Sequence, residues 1–200
     1  MSKDRLPPKK GISTLTKGAQ KILIEADPAK KVLLTQFVAT AWRKKQLNQI
    51  GRVSLPERPA RPKLPKLLPA RDMPHRRPKS GKGRLALMHA IAHIELNAID
   101  LAWDLIARFS EEDLPQAFYN DWVDVAVDEA RHFTMLAKYL TQQGAFYGAF
   151  PAHDGLWEAA NNTSDDILAR LAIVPLVLEA RGLDTIPGVI KKLLSANDQA

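Results

Sequence analysis

From Gly83 onward, apolar residues recur every three to four positions, the period of a helix that buries one face. Met88, Ile91, Ala92, Ala98, Ile99, Ala102 and Ile106 share a stripe and predict a helix from about Arg84 to Phe109. Phe118, Trp122, Val125, Ala126, Phe133, Leu136 and Leu140 predict a second from about Leu114 to Gln142. Ser110-Glu-Glu-Asp113 between them supplies a capping hydroxyl and a negative first turn. A third helix is expected from near Ser164-Asp-Asp166 to Arg181, with Gly182 as its stop. Thr185-Ile-Pro-Gly188 reads as a turn, with a last short helix beginning at Val189. No strand-like alternation is long enough to compete, so the predicted fold class is all-α.

Upstream the pattern changes. Residues 12–47 read as one or two short amphipathic helices, and Asp27-Pro28 is a cap followed by a proline at the first helical position. Prolines at 56, 59, 62 and 65 match the threefold repeat of polyproline II, and others follow at 69, 74 and 78. Three parts result: a basic helical segment 1–48, an extended Pro-rich strap 49–82, and a helical bundle 83–200.

Charge sharpens this division. Residues 1–84 carry 22 Lys+Arg and 5 Asp+Glu, a balance of +17; the remainder carries 7 and 17, a balance of −10, which together give the net +7. A basic arm joined to an acidic body either wraps onto that body, in its own or a neighbouring subunit, or meets an external polyanion such as RNA. Cysteine is absent, which excludes disulfides, thiolate catalysis and thiolate metal sites and fits a cytoplasmic setting. The longest apolar run, Leu171 to Leu178 with Pro175 inside it, is too short to span a bilayer, so no membrane role is expected. The first residues have no apolar core of a secretory signal.

The candidate chemistry is acidic. Glu129 and His132 form a Glu-x-x-His pair, and three residues along a helix place both side chains on one face. At about 100° per residue, Glu95 falls at the centre of the first apolar stripe, Glu129 at the centre of the second, and Glu179 shares a face with Leu168, Ala172 and Pro175. Neither Arg131 nor Arg181 shares those faces. A buried, unpaired carboxylate costs several kcal/mol, so a cation is expected among them. Levels agree too. Glu95 lies 14 residues before Phe109 and Glu129 lies 15 after Leu114. Both are therefore about 21–23 Å from the turn of an antiparallel hairpin. Glu179 is 14 residues beyond Asp165, level with them if residues 143–163 return the chain so that the second and third helices run parallel. That is ferritin-like connectivity. His89 and His93 fall about 120° and 160° from Glu95, on the surface or the rear face, and His75 and His153 lie in connections. His153-Asp154 reads as a loop cap that could also close the mouth of the site.

Four stretches carry a resemblance: Met88-His-Ala-Ile-Ala-His-Ile-Glu-Leu-Asn-Ala-Ile-Asp100, Asp128-Glu-Ala-Arg-His-Phe133, Phe150-Pro-Ala-His-Asp-Gly-Leu-Trp-Glu158 and Val177-Leu-Glu-Ala-Arg-Gly-Leu-Asp184. With the strap and Gly81-Lys-Gly-Arg84, the chain resembles the bacterial ferritin-like family called domain of unknown function 455. The resemblance implies a di-iron carboxylate bundle distantly similar to the non-haem di-iron tRNA hydroxylases. Its ligands would be Glu95, Glu129, His132 and Glu179, holding iron, with manganese as the alternative. It also implies a fourth helix with a second Glu-x-x-His. Only twelve residues follow Gly188 and none is His or Glu, so three of four core helices are expected here, in a truncated chain or one completed by another subunit.

The expected function is a cytoplasmic non-haem di-iron oxidoreductase of the hydroxylase type, inactive if the site is incomplete. A basic arm and strap suit the holding of a small-molecule or RNA substrate better than they suit iron storage, and DNA is not expected. An exposed bundle groove predicts homo-oligomers. The alternatives are a non-catalytic helical interaction module and an RNA-associated protein related to the tRNA hydroxylases.

Overall fold

The computed structural model describes residues 11–74 and 80–179, and 176–179 by their backbone alone. Six helices follow in order: α1 (Leu15–Leu23), α2 (Pro28–Arg43), α3 (Gly81–Arg108), α4 (Gln116–Gln142), α5 (Gly155–Asn161) and α6 (Ile167–Leu171), the last running on into a π-helical stretch, Ala172–Glu179. Among the described residues the only β pairing is an isolated parallel bridge between Leu67 and Ala152. The fold is an all-α helical bundle, as the periodicity predicts. It divides into two compact units, Met1–Lys63 with Glu95–Met135 and Leu64–Ile94 with Leu136–Ala200.

In the first unit, local sequence sets the helix starts. The Thr14 side chain accepts from the Lys17 amide, and the Asp27 side chain accepts from that of Lys30 with Pro28 at the first position of α2. α1 and α2 cross closely at Gly18, where a Cβ would come within 2.6 Å of the Val38 side chain. Lys31 pairs with Asp100, and the Trp103 indole N–H donates to Thr35. The two pairs advance together, so α2 runs parallel to α3 there. The Trp42 indole N–H donates to Asn120, and Arg43 pairs with Asp124, fastening the end of α2 to α4.

The strap is sewn down within each unit. Leu15 and Thr16 donate their backbone N–H groups to the carbonyls of Gln49 and Ile50, and the Ala60 amide reaches the carbonyl of Leu23. Arg61 donates to Asp100 at 2.6 Å and also to Asn97. In the second unit, Lys66 and Leu68 pair with the backbone of Ala152. Lys31, Arg43, Arg52 and Arg61 therefore meet Asp100, Asp124 and Glu111 inside one unit, so part of the basic arm neutralises the acidic body directly.

Asp100 sits at the centre of that network with no exposure, and Lys31 is as deeply placed. Burial pushes the Asp100 carboxyl above its ordinary range and the Lys31 ammonium below its own, while their mutual attraction opposes both shifts. Nothing in the apolar periodicity singles out Lys31, because a lysine next to Val32 reads as a solvated neighbour of the stripe.

The third helix departs from expectation. As far as Glu179, the single α-helix expected from near Ser164 is replaced by five α-helical residues and a π-helical stretch containing Pro175. Proline has no N–H to give and its ring collides with the carbonyl four residues back; a wider helix relieves the collision. A short helix, α5, occupies part of the return segment 143–163. The turn at 185–188 and the helix from Val189 lie outside the described residues. Among the described residues, α3 alone is long and apolar enough to cross a membrane by length and composition; half of its most apolar window is buried inside the protein, as in a core helix.

Candidate metal centre

α3 and α4 are joined by seven residues, 109–115, short enough to make them antiparallel neighbours. The buried positions of α4 are Tyr119, Val123, Ala126, Ala130, Phe133 and Leu140. Glu129 and His132 flank that stripe rather than occupying its centre, and Glu95 likewise borders the buried Ala92, Leu96 and Ile99 of α3. The sequence placed the carboxylates mid-face; packing rotates them to the margin, where they are mostly but not wholly withdrawn from water.

Here the three side chains meet. The Nδ1 atom of His132 lies 3.4 Å from Oε2 of Glu95 and 3.5 Å from Oε2 of Glu129, and one ligand atom from each residue falls within 4.8 Å of the others. The side chains of Glu95 and Glu129 are 18% and 15% exposed and that of His132 is 41% exposed, so the imidazole faces outward and the carboxylates inward. Arg131 turns away to Asp128, at 3.5 Å.

The geometry of the cluster can be compared with that of a hydrogen-bonded triad and with that of an ion site. A protonated imidazole bridging two carboxylates would draw them in to about 2.7–2.9 Å, the length of a charge-assisted hydrogen bond. Separations of 3.4 and 3.5 Å are too long for that. They are what donors about 2.1 Å from a shared divalent ion span when they subtend roughly 110° at it. Carboxylates drawn to one point repel each other, a cost that a cation between them removes. Two carboxylates and one imidazole also form a donor set suited to iron or manganese. The residues fit the ion.

Glu179, the fourth expected ligand, ends the π-helical stretch; its side chain lies outside the described residues. Of the two placements expected for His89 and His93, surface or rear face, the structure rules out the surface. They are 0% and 5% exposed, not surface residues. The Gly148 amide donates to Nε2 of His89 at 2.8 Å, whose ring stacks on Tyr147 with centroids 5.3 Å apart. His93 Nε2 donates to the His153 carbonyl at 3.2 Å, and in that tautomer its Nδ1 accepts from the Tyr147 hydroxyl at 2.8 Å. The two histidines thus hold the backbone of 147–153 within the second unit. Their i, i+4 spacing was the available signal, but a partner in a distant loop is invisible to helix periodicity. His153 is exposed and Asp154 buried, in the loop that leads into α5.

Residues 24–200 match the family described as "Protein of unknown function (DUF455)". An "Uncharacterized protein" of Haemophilus influenzae (strain ATCC 51907 / DSM 11121 / KW20 / Rd) is 45% identical over 139 residues, covering 67% of this chain and 48% of that relative. The chain thus spans about half the length of the curated relative it matches. No solved structure matches the chain.

Proposed function

The chain belongs to the DUF455 family, and on that premise we propose that it is a ferritin-like metal-binding protein in which Glu95, Glu129 and His132 hold iron, with manganese as the alternative ion. The whole protein is then a cytoplasmic non-haem di-iron oxidoreductase of the hydroxylase type. The observation that carries this reading is the convergence of one ligand atom each from Glu95, Glu129 and His132 within 4.8 Å. Bound iron supplies oxygen-dependent redox chemistry. The residues of the chain do the rest. Glu95 and Glu129 offer hard, negative oxygen donors that favour the more highly charged state of the metal, and His132 offers a neutral nitrogen. Their partial burial limits competition from water, and the i, i+3 spacing on α4 keeps two donors aligned before any ion arrives.

The ion pairs of Lys31, Arg43, Arg52 and Arg61 favour a structural role for the basic arm over an RNA-binding one. Metal loading tests the proposal. EDTA-stripped protein is given Fe(II) without oxygen, desalted, and assayed for bound iron by elemental mass spectrometry. Wild type is expected to keep about one ion per chain, whereas Glu95→Ala and Glu129→Ala lose more than the roughly 10–100-fold in affinity typical of outer-shell changes. Their far-UV circular dichroism stays unchanged. Iron-free wild type, or variants that bind as well as it does, would end the proposal.

A further inference from the structure

We propose that His89 is an acid-sensitive latch: its neutral ring holds the 147–153 loop, and through it the strap, onto α3, and a proton on Nε2 releases both. No metal ligand takes part, so the proposal stands or falls apart from the metal reading.

Three segments of the second unit meet at the loop. The Gly148 amide donates to Nε2 of His89 on α3 at 2.8 Å. Leu64 of the strap packs on the same residue, its Cβ 3.0 Å from where a Cβ at position 148 would stand. Four residues on, the Ala152 amide donates to the Lys66 carbonyl, and its own carbonyl accepts from the Leu68 amide. An amide N–H donates only to an unprotonated nitrogen, so the bond to Gly148 fixes His89 as a neutral ring with its proton on Nδ1. Protonating Nε2 sets N–H against N–H. It also places a charge in a ring with no exposure, against Tyr147 at 5.3 Å and Phe150 at 5.6 Å, two rings that bring no negative charge. Both penalties vanish when the loop lifts and water reaches the imidazole. The open state therefore binds one proton more than the latched one, and acid favours opening.

The ionisable groups around the latch are Lys82 and His93 along α3, Tyr147 and His153 in the loop, Asp154 at its end and Lys66 on the strap. Lys66, Lys82 and His153 are exposed to water, which screens their charges. His93 keeps its bonds on either side of a titration. Its Nε2 donates to the His153 carbonyl, and a proton on Nδ1 only reverses the bond to the Tyr147 hydroxyl, whose oxygen can accept. His89 has no such reversal open to it, because a backbone amide cannot accept.

The test follows amide hydrogen exchange of Gly148 and Leu68 by NMR in the full chain without added metal, corrected for the pH dependence of the exchange chemistry. An imidazole in water titrates near 6.5, so opening is expected to become about 30-fold more frequent from about pH 7.5 to about pH 5. The amides of α2, in the first unit, are expected to show no such change. In His89→Gln the side-chain oxygen accepts from Gly148 but takes up no proton, so the acid response is expected to vanish. Nitrogen NMR shifts of the wild-type ring need no variant, and they are expected to show Nε2 unprotonated at neutral pH. A flat wild-type profile or a proton on Nε2 at neutral pH overturns the proposal. A folded His89→Gln that still opens in acid overturns it too, and moves the sensor to Asp154 or another neighbour.

Discussion

Replacing Asp100 with Ala leaves Lys31 inside the protein without its counter-charge. Lys31 is 2% exposed at its side chain and Asp100 is fully enclosed, so water does not compensate either group. Breaking a buried pair by removing one partner costs about 3–5 kcal/mol, a large share of a typical domain stability of about 5–15 kcal/mol. Lys31→Met is milder. Asp100 keeps Arg61 at 2.6 Å, and the loss is one charge-assisted hydrogen bond, about 1.5–3 kcal/mol. The double variant Lys31→Met/Asp100→Leu removes both buried charges, and Arg61, 15% exposed at its side chain, retains Asn97. Its stability is expected above that of Asp100→Ala, because the unpaired lysine charge is gone, and below wild type by about the 1.5–3 kcal/mol of the bond that Arg61 loses. Urea titrations followed by circular dichroism read all four corners of the cycle. The direction of the Asp100 shift adds a pH arm. Its folded pKa lies above the ordinary 3.8, so its contribution to stability is full below that value and is lost as pH rises through the folded one. The double variant should therefore gain on wild type as pH rises above about 4. A double variant as unstable as the sum of the single ones, at every pH, refutes the reasoning.

Gly18→Ala puts a methyl 2.6 Å from Val38 Cγ1 and should cost about 1–3 kcal/mol in thermal or urea unfolding, most of it returned by pairing with Val38→Ala. Gly148 has φ +112° and a built Cβ 3.0 Å from that of Leu64, so Gly148→Ala combines backbone strain with a clash and should exceed the usual 1–3 kcal/mol of strain alone. Tyr147→Phe removes the hydroxyl that His93 Nδ1 accepts and should cost about 0.5–1.5 kcal/mol while leaving bound iron unchanged; an equal loss of metal would give that pair a role at the metal cluster. Arg52→Ala, whose pair with Glu111 is mostly exposed at 3.3 Å, should change stability by less than about 1 kcal/mol in the same titration.

The sequence by itself determined the helices and the chemistry each can offer. A 3.6-residue period and the Asp27-Pro28 start are local properties, and they placed the start of α2 and both ends of α3 and α4 to within three residues. The Glu-x-x-His spacing likewise guarantees that Glu129 and His132 share a face, whatever surrounds them. Tertiary structure decided what periodicity does not encode. It set how far each helix turns about its own axis, which moved Glu95 and Glu129 from mid-face to the edge of the core and left His132 open. It chose the partner of Asp100, 69 residues away in Lys31, because charge pairing over that separation depends on which helices lie side by side. It also buried His89 and His93 against a loop more than fifty residues distant. The physical reason is the same in each case: local sequence fixes the direction of a side chain relative to its own helix, whereas its environment depends on which segments pack around that helix.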